Sequence, residues 1–145
     1  MNMRTIIRAI ALSLLLSLVA FGARAQSLQA TPFSLITAAS TNSTLVTGTG
    51  QNVLKWVVTS NNTASTINYL KFYNKATAPT CGTDIPVLRI MLPGNTTGGG
   101  VTSVSFDDTR FTLGIGFCVT GGTGADADTS VGAAGLLINI GYVNQ

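Results

Sequence analysis

The chain has 145 residues, with eight Lys or Arg against five acidic residues and a formal net charge of +3. All five acids are Asp, and His is absent. Without His or Glu, Ser-His-Asp and Cys-His catalysis, histidine metal sites and histidine-based pH switching are excluded.

Residues 1–25 read as a secretory signal peptide. Arg4 and Arg8 give a positive start, the stretch from Ala9 to Phe21 is apolar, and Ala23-Arg24-Ala25 fits a small-x-small cleavage rule with Gln26 as the first mature residue. The apolar stretch is short for a membrane span. No Cys follows it and no Arg pair precedes it, which disfavours a lipoprotein and twin-Arg export. No later segment is long and apolar enough to cross a bilayer, so no membrane association is expected once the signal is gone. Removing residues 1–25 leaves Lys55, Lys71, Lys75, Arg89 and Arg110 against Asp84, Asp107, Asp108, Asp126 and Asp128. The charge then balances, and a polyanion such as nucleic acid is not an expected partner. The expected location is secreted or periplasmic.

Export gives meaning to the two cysteines. Cys81 and Cys118 are the only pair, and an oxidising compartment favours one disulfide between them. Such a bridge would stabilise the fold by roughly 4 kcal/mol on a chain-entropy argument. Two free thiols are the alternative; a closed zinc site is not, because two thiolates cannot complete it.

Residues 26–145 read as one domain. Short β-rich runs alternate with turn clusters, and no helical period appears. Phe33–Thr37 opens the series and Thr44–Thr47 stops at Gly48-Thr49-Gly50. Val53–Ser60 follows, with Leu54, Trp56 and Val58 expected on one face and Lys55 and Thr59 on the other. Ile67–Lys75 places Leu70 and Phe72 opposite Tyr69, Lys71, Tyr73 and Lys75. A loop from Ala76 to Asp84 holds Pro79 and Cys81. Val87–Leu92 turns Leu88, Ile90 and Leu92 inward. After Gly98-Gly99-Gly100, Val101–Phe106 turns Val104 and Phe106 inward, and Asp107-Asp108-Thr109 is a predicted turn. Phe111–Thr120 alternates Phe111, Leu113, Ile115, Phe117 and Val119 against Gly114, Gly116 and Cys118. Leu136–Val143 closes the domain. The predicted fold is all-β: an antiparallel sandwich, jelly-roll-like, of about eight strands, preceded by the N-terminal signal helix.

Few residues point to chemistry. Gly121-Gly122-Thr123-Gly124-Ala125-Asp126-Ala127-Asp128 nearly matches a calcium nonapeptide. It is a single copy with Asp128 where an apolar residue belongs, so Asp126 and Asp128 are weak calcium candidates and no metal or cofactor is expected. Adjacent Asp107 and Asp108 point apart in extended chain, unlike the opposed carboxylates of glycoside hydrolysis. Gly98-Gly99-Gly100 lacks the Lys-Ser/Thr ending of a phosphate loop. Asn42-Ser43-Thr44, Asn61-Asn62-Thr63 and Asn95-Thr96-Thr97 are glycosylation sequons only if the host uses them. The candidate interaction surface is the face of Tyr69, Lys71, Tyr73 and Lys75, where aromatics can stack on sugars or anchor a partner. Gly114 and Gly116 would admit a neighbouring subunit closely, or serve to bend the sheet.

Several blocks carry a family likeness: Ala30 through Asn42, Tyr69 through Thr80, Gly82 through Leu88, and the ending Ile140-Gly141-Tyr142-Val143. Together they resemble small uncharacterised β-sandwich proteins encoded in phage and prophage genomes. The resemblance implies a virion-surface or appendage component and is compatible with oligomeric assembly. It carries over no functional residues. The expected function is that of an exported, non-enzymatic structural or surface-interaction protein, partnered by itself or another protein. The alternative is a carbohydrate-binding, lectin-like module using Tyr69 and Tyr73.

Overall fold

The computed structural model describes residues 29–62, 67–94, 100–121, 131 and 135–145, with the backbone alone for Asp108. The signal segment 1–25 lies outside the described residues. The described chain is all-β. Its eight strands are β1 (Thr31–Ile36), β2 (Thr44–Thr47), β3 (Asn52–Asn61), β4 (Asn68–Asn74), β5 (Leu88–Leu92), β6 (Gly100–Phe111), β7 (Ile115–Thr120) and β8 (Leu136–Asn144). They form two four-stranded sheets with antiparallel pairing throughout, in the orders β1-β8-β3-β6 and β2-β7-β4-β5. Only β4 and β5 are consecutive strands within one sheet; every other connection passes from one sheet to the other.

Alternation explains why the sheets stack. Leu54, Val57, Phe111, Ile138 and Ile140 of the first sheet and Leu70, Phe72, Leu92, Ile115, Phe117 and Val119 of the second are buried together in one core. The sheets meet through aromatic rings. Phe33 of β1 packs edge-on against Phe117 of β7 at 5.9 Å between centroids, and Phe72 of β4 sits 6.2 Å from Phe111 of β6. Each such side chain contributes roughly 1.5–3 kcal/mol by leaving water.

The amide-rich composition has a structural use, because Asn side chains stitch the loops. Asn42, at a left-handed φ of 49°, accepts from the Ala38 N–H at 2.7 Å and donates to the Ala38 and Ser40 carbonyls. Asn52 donates to the carbonyls of Thr49 and Gly50, and Asn61 to that of Pro93 at 2.9 Å. Asn42 and Asn61 are therefore buried loop fasteners rather than accessible glycan acceptors. Asn95, of the third sequon, lies outside the described residues.

Two expectations are corrected. The first concerns β3, where the register slips between Leu54 and Trp56. Leu54 faces Tyr142 and Thr109, while Trp56 faces Gly141 and Ser105. Relative to β8, β3 carries one extra residue, a bulge at Lys55. It moves every later side chain to the opposite face. Val57, Thr59 and Asn61 point into the core, and Trp56, Val58 and Ser60 point outward. Val57 and Val58 provide the check. Val57→Asp is expected to prevent folding, because it buries an unpaired carboxylate. Val58→Asp is expected to change stability by no more than about 1 kcal/mol. Circular dichroism melts of the two variants separate the bulged register from an unbroken one, which would reverse the outcome.

The second correction concerns Asp107-Asp108-Thr109, which make no turn. β6 runs through them, and two surplus residues relative to β3 are taken up between Ser105 and Thr109. The Lys55 ammonium donates to the Asp107 carbonyl at 3.4 Å. β6 is an edge strand, where a bulge bearing charge discourages pairing with another chain. The real break falls at Thr112-Leu113-Gly114. There Asn74 accepts from the Leu113 N–H at 2.8 Å and donates to the Thr112 hydroxyl. Leu113 is consequently exposed instead of inward.

Candidate functional site

The two outer faces of the sandwich differ in kind. On the second sheet, Tyr69, Lys71 and Tyr73 of β4 do share the outer face, beside Thr120, Cys118 and Gly116 of β7. That face is not open. Lys71 and Tyr73 are 0% and 1% exposed, because the chain's own segment 75–87 folds over them. Cys81 in this segment is bonded to Cys118 on β7, with their Cα atoms 6.0 Å apart. Pro79 lies on Gly116, where a Cβ would approach its Cδ to 2.9 Å. The Ser43 hydroxyl donates to the Pro79 carbonyl, and the Val87 N–H donates to the Phe72 carbonyl at 2.8 Å.

Lys75 and Asp84 complete the cover with an ion pair at 2.5 Å, and Asp84 also accepts from the Thr80 N–H at 2.6 Å. These two donors hold the Asp84 carboxyl below the usual carboxylate range. Gly114 and Gly116 are occupied from within: Pro79 covers Gly116, and Gly114 abuts the backbone carbonyls of Lys75 and Thr47. Of the four candidate surface residues, Lys71 and Tyr73 are sealed, Tyr69 is half-buried, and Lys75 is tied to Asp84.

Burial, and then the nearby charge of Asp84, push the Tyr73 phenol above its usual value of 10.0. A raised folded-state pKa favours the neutral phenol. Its stabilising effect is full below the unfolded value and fades as pH rises through the folded one. Melting temperature is therefore expected to fall as pH passes above about 10, with phenolate absorbance at 295 nm appearing alongside unfolding. Replacing Tyr73 by Phe should flatten that alkaline limb.

On the outer face of the first sheet the register lays out rows across β1, β8, β3 and β6; three of them carry exposed residues, whereas Val53 and Val143, in the row beyond Trp56, are buried. One row is Pro32, Gly141, Trp56 and Ser105; the next is Ser34, Asn139, Val58 and Ser103; the third is Ile36, Leu137, Ser60 and Val101. No residue in these three rows is charged. Ile36 is 64% exposed, Val101 65% and Val58 36%. Trp56, the only Trp of the chain, lies across Gly141 on this face: a Cβ at residue 141 would collide with its indole ring. The covering segment on the opposite side also exposes Ile85 and Val87, with Met91 nearby, but these stand among Arg89, Lys75 and Asp84.

Sequence reasoning missed this face. The signal was the unbroken apolar run Trp56-Val57-Val58, which an alternating strand with one wet side does not contain. Asp126 and Asp128 lie outside the described residues. Among the described residues, no three His, Cys, Asp or Glu side chains gather as a metal site. Comparison with protein-family models, curated proteins and solved structures returns no match.

Proposed function

We propose that this protein is an exported, non-catalytic β-sandwich that acts structurally, through contact between copies of itself. The observation carrying this reading is the asymmetry of the two outer faces. One is closed by a disulfide-tethered segment of the same chain, and the other offers three uncharged rows with Ile36, Val58 and Val101 exposed. A second copy presents an equally uncharged face, so stacking meets no like-charge repulsion, and a self-complementary two-fold contact is the simplest arrangement. Strand order adds support. The sequence β1-β8-β3-β6 over β2-β7-β4-β5 is that of a double-sheet jelly roll, an architecture of capsid and lectin domains. A place on a virion surface or appendage fits this reading, as does a cell-surface layer. The disulfide is compatible with an oxidising extracellular or periplasmic location.

Light scattering over a range of protein concentrations tests the proposal. The expected result is a mass above the monomer, returned to the monomer by Val101→Asp with little change in melting temperature. A monomer at every concentration, in native protein and variant alike, would contradict it. So would turnover in a hydrolase screen that changing Asp107 abolishes. The carbohydrate reading loses its original site, because Tyr73 is sealed; what favours it instead is Trp56.

A further inference from the structure

We infer that the Trp56 row on the outer face of the first sheet binds a neutral, linear oligosaccharide. The inference rests on reading this face as a contact surface. It does not rest on self-association, which is centred on Ile36 and Val101 at the other end and meets the sugar site only at the middle row of Val58.

The indole is seated before any ligand arrives. Trp56 follows the β3 bulge and so points outward, and its register partner on β8 is Gly141. Because residue 141 has no Cβ, the ring lies down over the β8 backbone; any larger residue there would strike indole atoms Cε2, Nε1 and Cζ2. Pro32 continues the same row beyond Gly141, and Ser105 stands on the other side. The next row, about 7 Å along the strands, is Ser34, Asn139, Val58 and Ser103.

This set of groups matches a sugar. A pyranose has an apolar face of C–H bonds that packs on an aromatic ring, and a rim of hydroxyls that both donate and accept. Ser hydroxyls and the Asn amide do both as well. Ser105 is exposed in the Trp56 row, and Ser34 and Ser103 are exposed in the next row. The three rows carry no charge, and the charged residues bordering the Trp56 row, Lys55, Asp107 and Arg110, are of both signs, so a neutral ligand is assigned over an acidic glycan or a charged peptide. A protein hot spot around Trp would instead centre on a desolvated apolar pocket, whereas here the exposed Ser105 shares the row of the ring and Ser34, Asn139 and Ser103 supply polar groups in the next. The regular spacing of rows along an open sheet suits an extended chain rather than a single buried sugar.

Trp56 is the sole indole fluorophore, so emission reads this site alone. The purified protein is titrated with cellohexaose, xylohexaose, mannohexaose, maltohexaose and chitohexaose. At least one is expected to shift Trp emission saturably. Calorimetry with that sugar should show affinity falling at least tenfold in Trp56→Ala and severalfold in Ser105→Ala, with Trp56→Phe retaining part of it and Val101→Asp unchanged. No response to any of the five sugars would overturn the inference, as would binding that Trp56→Ala leaves intact. If self-association sensitive to Val101→Asp persists while all five sugars are silent, the contact-face reading stands and the sugar site falls.

Discussion

Replacing Phe72 by Ala is expected to lower the free energy of unfolding by about 4 kcal/mol. Phe72 is fully buried on β4 and touches rings on both sheets: Phe111 of β6 across the core and Phe117 of β7 beside it, each 6.2 Å away between centroids. Phe117 in turn meets Phe33. Truncation removes one of the two inner rings of this chain of four, so the cost combines lost burial with a cavity that rigid strands cannot close. Phe33, half-buried on the edge strand β1, should lose distinctly less when changed to Ala. Urea unfolding of both variants measures the difference. Equal losses would mean that an inner place in the aromatic chain adds nothing over the terminal place of Phe33.

Removing the disulfide should cost a similar amount. Cys81→Ala with Cys118→Ala is expected to reduce stability by roughly 2–5 kcal/mol. This loss has a local signature that the Phe72 change lacks. The bridge fastens the segment 75–87 over Lys71 and Tyr73, so its removal should lift that cover before the core opens. Tyr73 should then ionise at lower pH than in the bridged protein, since burial is the main cause of its raised value. Hydrogen exchange should also accelerate at Val87, whose N–H donates to the Phe72 carbonyl. Unchanged Tyr73 titration in the double variant would show that the remaining contacts, Pro79 on Gly116 and Lys75 with Asp84, suffice to hold the cover. Lowering pH should weaken the Lys75–Asp84 contact. Asp84 has a depressed folded-state pKa, so its contribution is present above the ordinary carboxylate range and is lost as pH falls through the folded value.

How far the fold was legible depended on whether each strand kept a strict two-residue period. The alternation of Ile115, Phe117 and Val119 and of Leu136, Ile138 and Ile140 placed β7 and β8 with their inward faces correct. β2 was placed to the residue, and β4 and β5 to within one residue at each end. β3 failed at one position. Lys55 looks outward-facing in any frame, and the only local mark of the bulge that reverses Trp56 and Val58 is the apolar run Trp56-Val57-Val58. Asp107 and Asp108 read as a turn because Asp favours turns locally. Pairing with the long partner β3 overrode that preference, and the surplus residues became a bulge on an edge.

The closed face was half legible. Alternation put Cys118 on the outer side of β7 and Tyr69, Lys71 and Tyr73 on one side of β4, and the loop held Cys81. A bridge between them requires the loop to cross that face and bury what lies beneath. Strand order, and therefore the neighbours of Trp56, depends on non-local pairing that no short stretch encodes.

Hydroxyl-radical footprinting of the native, disulfide-intact protein, read by mass spectrometry at low and high concentration, distinguishes the closed face of the second sheet from the self-associating face of the first. The expected result is modification of Trp56, Val58 and Val101 in dilute protein, protection of Val58 and Val101 on concentration, and no labelling of Tyr73 at either. Rapid labelling of Tyr73, or modification of Val58 and Val101 that stays constant with concentration, would contradict it.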